Sequence, residues 1–383
     1  MLMKSRSFVG STMHAVRRFA SGDNCTGDGQ SEKRPNADPL KPFRVTLIEG
    51  QGRGPVVCAA VRKIFKAAGI PVQWEKHTMH LQRDATGQTA INPELLQSCR
   101  ETGLVLRGPD PSPDGWQSSA SLKLRKAMDA YVGVRLFSSL PGYEPFGHVR
   151  MVNIRENVSG EYSEIEHTVV PGVVQSIKMV TQAQSESVAK FAFSYAVSRG
   201  HKRVTVLHKA NVMRLADGMF LRACRNVSKG FADIKYDEER LDKFCLRVVH
   251  DHSKYDMLLT PSLYGSLAAA VCGALAGGPC VVPVAAYGPR LAMFETMNDG
   301  EADSFGVDDD DQVNFGASAT MANPTGLIRA AAWMLSHVGM TEMAVRVDTA
   351  LAETVRQGVK TPDMGGTASC AQFTDSLIEN LGN

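Results

Sequence analysis

The chain has 383 residues, 43% of them apolar, and a formal net charge of +2. That length suits two domains rather than one small one, and the near-neutral balance argues against the concentrated basic face that nucleic acid requires. No run of about 18 uninterrupted apolar residues occurs, so no membrane-spanning helix is predicted. The eight cysteines are scattered without a CxxC pair, a usage that reads as free thiols in a reducing compartment.

Residues 1–22 carry Lys4, Arg6, Arg17 and Arg18, several Ser and Thr, and no acid before Asp23. This is the composition of a mitochondrial presequence, with a disordered basic arm as the plain alternative. Arg18-Phe19-Ala20-Ser21 offers a processing site, and losing the segment would leave a slightly acidic mature chain. Residues 23–42, rich in Gly, Asp, Asn, Ser, Pro and Lys, read as a flexible leader. Arg44-Val-Thr-Leu-Ile48 is a short buried strand. Gly50, Gly52 and Gly54 with Pro55 turn it into a helix through Val61, Ile64, Phe65 and Ala68, and another strand begins at Pro71-Val-Gln-Trp74. Strand, helix and strand in that order predict a parallel α/β unit. Further strands are predicted at Val204–Leu207 and Met257–Leu259, and helices at 182–198, 211–227, 267–276, 325–338 and 343–357. The GxGxG spacing with Pro55 behind it is a poor match to the GxGxxG dinucleotide fingerprint. Seven acids between Asp299 and Asp311 predict a solvated acidic loop; four of them are consecutive, Asp308 to Asp311, which does not suit an EF-hand calcium loop.

Five segments taken together carry a resemblance. They are Val45-Thr-Leu-Ile-Glu-Gly-Gln-Gly-Arg-Gly-Pro55, Asn153-Ile-Arg-Glu-Asn-Val-Ser-Gly-Glu-Tyr-Ser163, Val206-Leu-His-Lys-Ala-Asn-Val-Met213, Pro261-Ser-Leu-Tyr-Gly265 and Ala322-Asn-Pro-Thr325. From about residue 43 to 381 the chain resembles the isocitrate and isopropylmalate dehydrogenases, most closely the mitochondrial NAD-dependent isocitrate dehydrogenase subunits. The resemblance implies an isopropylmalate dehydrogenase-like two-domain α/β sandwich with a dimer clasp. Residues 43–142 and 269–383 would form the large domain, and 143–268 the small domain with the clasp.

The resemblance also implies site residues. Ser119, Arg125, Arg135 and Arg155 match the positions that hold the carboxylates of isocitrate, and Ser121 stands where the family has Asn. Guanidinium forks pair bidentately with carboxylates and keep their charge; three ordinary surface arginines are the bland alternative. Tyr162 and Lys209 match the family's proton-handling pair, Lys209 being donated across the dimer interface to the neighbour's site. Asn211 belongs to the same donated segment, and Asp242 matches the aspartate lent in trans to the metal.

The departures from the family concern this subunit's own metal and cofactor. Oxidation of the alcohol followed by loss of CO₂ needs a divalent cation to polarise the hydroxyl and steady the enolate. The family's two cis aspartates, one helical turn apart, correspond to Ser266 and Ala270. A hydroxyl is a poor substitute for a carboxylate, and a methyl group is none. The His-Gly-Thr-Ala-Pro-Asp loop that wraps the dinucleotide is replaced after Glu295 by Thr-Met-Asn-Asp-Gly-Glu-Ala-Asp and the acidic run, which would repel a pyrophosphate. Glu49, Gln51, Arg53 and Val56 replace Pro, Asp, Ile and Glu of the opening loop. Asn323 remains as the one cofactor-binding match, or as part of a structural turn.

The expectation is therefore a non-catalytic, regulatory subunit of a hetero-oligomeric NAD-dependent isocitrate dehydrogenase of the mitochondrial matrix. It would bind no metal or NAD of its own, with Mg or Mn and NAD residing in a catalytic partner subunit. It would keep what it lends and suit a citrate-like carboxylate effector. The alternative is a structural or scaffold subunit of another mitochondrial assembly built on the same fold.

Overall fold

A computed structural model of the chain describes residues 42–83, 89–109, 120–297 and 322–382. The expected presequence, nearly all of the leader, Ser119 and the acidic segment 299–311 lie outside the described residues.

Strand β1 (Phe43–Ile48) runs into helix α1 (Gly54–Ala67) and back to β2 (Val72–His77), which pairs parallel to β1 as its order predicts. A small hairpin of β3 (Leu81–Arg83) and β4 (Thr89–Ile91) leads to α2 (Pro93–Thr102), β5 (Leu104–Arg107), α3 (Ala120–Ala127) and β6 (Val132–Ser138). Then come β7 (Arg150–Glu156), the antiparallel hairpin β8 (Gly160–Val170) and β9 (Val173–Met179), α4 (Gln182–Arg199), β10 (Arg203–His208) and α5 (Ala216–Ser228). The chain continues through β11 (Lys235–Arg240), α6 (Leu241–His250), β12 (Met257–Thr260) and α7 (Ser262–Leu275). It closes with β13 (Pro283–Tyr287), β14 (Ala292–Thr296), α8 (Thr325–His337), α9 (Thr341–Arg356) and α10 (Cys370–Leu381).

Ten strands form one sheet in the order β11-β10-β12-β7-β6-β13-β14-β5-β1-β2. Its two flanks are parallel, and they are joined by antiparallel pairing of β7 with β6, β6 with β13, and β13 with β14. Segment 143–268 supplies the block β11-β10-β12-β7 and the β8–β9 hairpin; the flanking segments supply the rest. Strands β5, β12, β13 and β14 are buried along their whole length, as strands covered by helices on both faces must be. Helix α8 lies almost entirely within the core, from Leu327 to Ser336.

The β8–β9 hairpin behaves differently. Its tip turns at Pro171-Gly172, with φ of +84° at Gly172, and its valines face solvent, Val174 being 65% exposed.

Candidate functional site

Strand register places the candidate residues. Arg107, Glu295, Val284, Arg135 and Asn153 are successive partners across β5, β14, β13, β6 and β7. Directly paired residues share a face of the sheet, so this row points to one side, and Arg155, two residues beyond Asn153, joins it. Helices α3 and α7 bring Arg125 and Ser266 to that side.

Helix α7 approaches β7 closely because residue 265 is Gly. A Cβ there would lie 2.5 Å from Thr260 Oγ1 and 2.6 Å from Arg155 Cβ. Asn153 Nδ2 donates to the Gly265 carbonyl (2.9 Å), and its Oδ1 accepts from Thr260 Oγ1 (3.0 Å). This clamp sets Ser266 beside the buried Arg155, whose Nη1 donates to Ser266 Oγ. Tyr162 hydroxyl lies 2.9 Å from the same oxygen, and the Arg155 guanidinium sits 5.2 Å from the Tyr162 ring centroid. Arg155 Nε donates to Asn157 Oδ1 (3.0 Å), and Asn157 fits because residue 133 is Gly; a Cβ there would lie 2.5 Å from Asn157 Oδ1. Ala270, the next helical turn, is solvent-exposed.

Arg125 is engaged differently from the expected three-arginine pocket. Its Nη2 lies 2.5 Å from Glu295 Oε1, and Arg107 Nη1 lies 2.8 Å from Glu295 Oε2, all three side chains being buried. Burial alone would raise the Glu295 carboxyl, but the charges of Arg125 and Arg107 hold it well below the usual carboxylate range. Arg107 also donates to Ser121 Oγ (2.9 Å). Arg125 thus faces the Glu295 carboxylate, whereas Arg155 donates to Ser266 Oγ and Asn157 Oδ1. Arg107 and Glu295 escaped sequence reasoning; the signal was a charged residue at or next to the end of each of two short, mainly apolar strands.

Glu156, Asn157 and Gly160 of the Asn153–Ser163 segment have structural work. Glu156 Oε1 accepts the backbone N–H groups of Val158 and Ser159, both at 2.9 Å, closing the turn into β8. Gly160, at φ +68°, leaves room for Ser262.

Lys209 and Asp242 meet elsewhere. Lys209 Nζ lies 3.0 Å from Asp242 Oδ1 on a partly exposed surface, with Arg240 Nε 3.9 Å from the same oxygen. The hydrogen bond from Lys209 holds the Asp242 carboxyl below its ordinary value. Asn211 is exposed in the turn that follows Lys209. That turn is anchored by the buried Asp217, whose Oδ2 accepts the Lys209 backbone N–H at 2.7 Å.

In the opening loop the Glu49 carboxylate lies between Lys76 Nζ (3.1 Å) and Arg62 Nη1 (3.4 Å). Both ends of the Asn323 amide serve the protein: Nδ2 donates to Asp363 (2.8 Å) and Oδ1 accepts from Thr325 N (2.9 Å) at the start of α8. The Ala-Asn-Pro-Thr turn thus has a structural role. The segment that replaces the dinucleotide loop lies, beyond Met297, outside the described residues.

The family model described as isocitrate/isopropylmalate dehydrogenase matches residues 44–377. This chain belongs to the isocitrate/isopropylmalate dehydrogenase family. Within that family, it is 42% identical over 341 residues to the mitochondrial isocitrate dehydrogenase [NAD] subunit alpha of Bos taurus, covering 88% of this chain and 90% of that protein. The Homo sapiens subunit alpha is 41% identical with the same coverage. Subunit 2 of the Schizosaccharomyces pombe mitochondrial enzyme is 35% identical over 382 residues, 98% of this chain and 96% of its own length. Among solved structures, isocitrate dehydrogenase from Methylococcus capsulatus superposes with a TM-score of 0.80 at 30% identity, covering 89% of this chain and 100% of that one.

For this member of the family, the cis positions do not fit a divalent cation. Hard cations take anionic oxygen ligands. Position 266 offers one hydroxyl, already bonded to a guanidinium and a phenol, and position 270 offers a methyl. Among the described residues no group of three or more His, Cys, Asp or Glu is placed to hold a metal.

Proposed function

We propose that this chain is a non-catalytic, regulatory subunit of a hetero-oligomeric NAD-dependent isocitrate dehydrogenase in the mitochondrial matrix. The observation that carries the reading is the contrast between two sites. Where the chain would need its own metal carboxylates, Ser266 is tied to Arg155 and Tyr162. Where it would serve a neighbour, Lys209 and Asp242 are intact and accessible on the surface. The relatives' names, which describe mitochondrial subunits, support the assembly and the compartment.

Exposed apolar side chains near the two lent residues support a partner surface. Leu215 is 83% exposed ahead of α5, and Leu246 is 77% exposed on α6, beside α7. The hairpin valines Val169, Val170, Val173 and Val174 are likewise exposed. The partner is a chain of the same fold that carries aspartates at the positions of Ser266 and Ala270. Lys209 and Asn211 would enter its pocket and Asp242 its metal shell, while Tyr162 stays at this chain's own pocket. The cation, when bound in the partner, supplies electrophilic stabilisation; this chain's part is to deliver a proton-handling amine and one carboxylate.

The positions Ser119, Arg125, Arg135 and Arg155, matched by resemblance, would then serve a citrate-like carboxylate. Such an effector changes turnover only through unequal affinity for two states of the assembly. NAD reduction by isocitrate with Mg²⁺ or Mn²⁺ tests the reading. The chain alone is expected to be inactive, and the pair active. Lys209→Ala or Asp242→Ala in this chain should each lower the pair's kcat by about 100-fold or more. A fully active pair carrying either variant would refute donation in trans.

A further inference from the structure

We propose that Asp217, balanced by Lys178, is a positioning residue that fixes the 209–215 turn and so aims Lys209 and Asn211 at the partner. This rests on the donation reading above and adds the device that makes the donated group geometrically definite.

A proton-handling lysine on a surface turn is useful only if its backbone is held. Strand β10 ends at His208, and the chain does not become helical until Ala216. Lys209 is pinned from both sides of its own peptide units. Its carbonyl accepts the N–H groups of Val212 (2.9 Å) and Met213 (3.0 Å), and its N–H is donated to Asp217 Oδ2. Asp217 is 1% exposed and lies in the first turn of α5, where the helix field favours an anion. Its other oxygen accepts from Lys178 Nζ at 2.8 Å.

Lys178 joins the turn to the rest of the site. Burial would lower its pKa, but the Asp217 and Glu161 carboxylates hold it above the ordinary value. It lies 3.1 Å from Glu161 Oε1 and 4.4 Å from the Tyr264 ring centroid. Glu161 Oε2 in turn accepts from Ser262 Oγ at 3.2 Å, and Tyr264 hydroxyl lies 3.5 Å from Met213 Sδ. Five pieces therefore meet at one buried ion pair: β8, β9, the start of α7, the start of α5, and the turn itself. Two neighbours in sequence, Glu161 and Tyr162, face the two sites: Glu161 the anchor, Tyr162 the Ser266–Arg155 pocket.

A buried ion pair that merely held the fold would affect stability and assembly. A positioning pair must also affect turnover in fully assembled dimers. Removing one charge would strand the other, so both are changed together; Glu161, which also pairs with Lys178, is partly exposed and keeps access to water. The pair of this chain with an aspartate-bearing partner is compared with versions carrying K178M with D217N, and K178M with D217L. Asparagine leaves a neutral acceptor for the Lys209 N–H; leucine leaves none. At equal dimer fraction, checked by sedimentation, kcat is expected to fall in the order parent, asparagine, leucine, reaching about tenfold or more for leucine, with KM for isocitrate little changed. Hydrogen exchange should quicken at the amides of 209–213 and not along β10. If the leucine version does not assemble, the asparagine version decides, and unchanged kcat and exchange in it overturn the proposal. A Lys209→Ala control run beside them separates the two levels. If that control is fully active, donation fails; if it is inactive while the double variants turn over normally, the positioning role fails.

Discussion

Glu295 decides how the arginines of the pocket are used. Its two oxygens are divided between Arg125 and Arg107, with all three groups buried. Removing one member of such a set leaves uncompensated charge, at a cost of about 3–5 kcal/mol. Glu295→Gln should therefore destabilise the chain by about that amount near neutral pH, measured by denaturant unfolding. Because the two guanidinium charges depress the folded carboxyl, its contribution is complete above the ordinary carboxylate value and is lost as pH falls through the depressed one. The gap between parent and variant should accordingly narrow on acidification; a gap independent of pH would count against the ion-pair account. Little of this triad was legible in the sequence. Glu295 stands 188 residues from Arg107 and 170 from Arg125 in the chain. Only the sheet register and the seat of α3 bring them together.

Helix α7 is the element on which the metal site would have been built. The sequence predicts this helix from 267, after a turn at Pro261, whereas it starts at Ser262 with Pro261 as its N-cap. The Ser-Leu-Tyr-Gly segment belongs to its first turn, which is why residue 266 is aimed at β7. At 211 the difference runs the other way: the sequence predicts helix from there, but α5 begins only at Ala216 because Lys209–Met213 is held as a turn by bonds to its own backbone and to Asp217. Helices α4, α8 and α9 were legible within two residues: α8 is buried on nearly all sides and reads as a continuous apolar and small run, while α9 buries one face at helical spacing, Ala344, Val347, Leu351 and Val355. Gly265→Ala tests the packing of α7. The added Cβ meets Thr260 and Arg155 well inside contact distance, so a loss of about 1–3 kcal/mol is expected. A thermal midpoint equal to that of the parent would show that α7 does not press on β7 as described.

At the scale of the molecule, one continuous ten-stranded sheet carries both the pocket and the elements that present Lys209 and Asp242. The pocket row crosses the antiparallel centre, while Lys209 and Asp242 follow directly from the ends of β10 and β11 at one flank. Under the proposed function, this separation would let the chain lose chemistry at one place and keep it at the other. Motif departures at Ser266 and Ala270 were readable from the sequence alone. That Ser266 has taken Arg155 and Tyr162 as partners was not, because both contacts depend on the approach that Gly265 permits. The most direct test of the account is to count Mn²⁺ by electron paramagnetic resonance, in the presence of isocitrate, on the chain alone and on its pair with an aspartate-bearing partner. The account predicts no tightly held ion on the chain alone and one per pair; a tight, isocitrate-dependent Mn²⁺ on the chain alone, or two per pair, would contradict it.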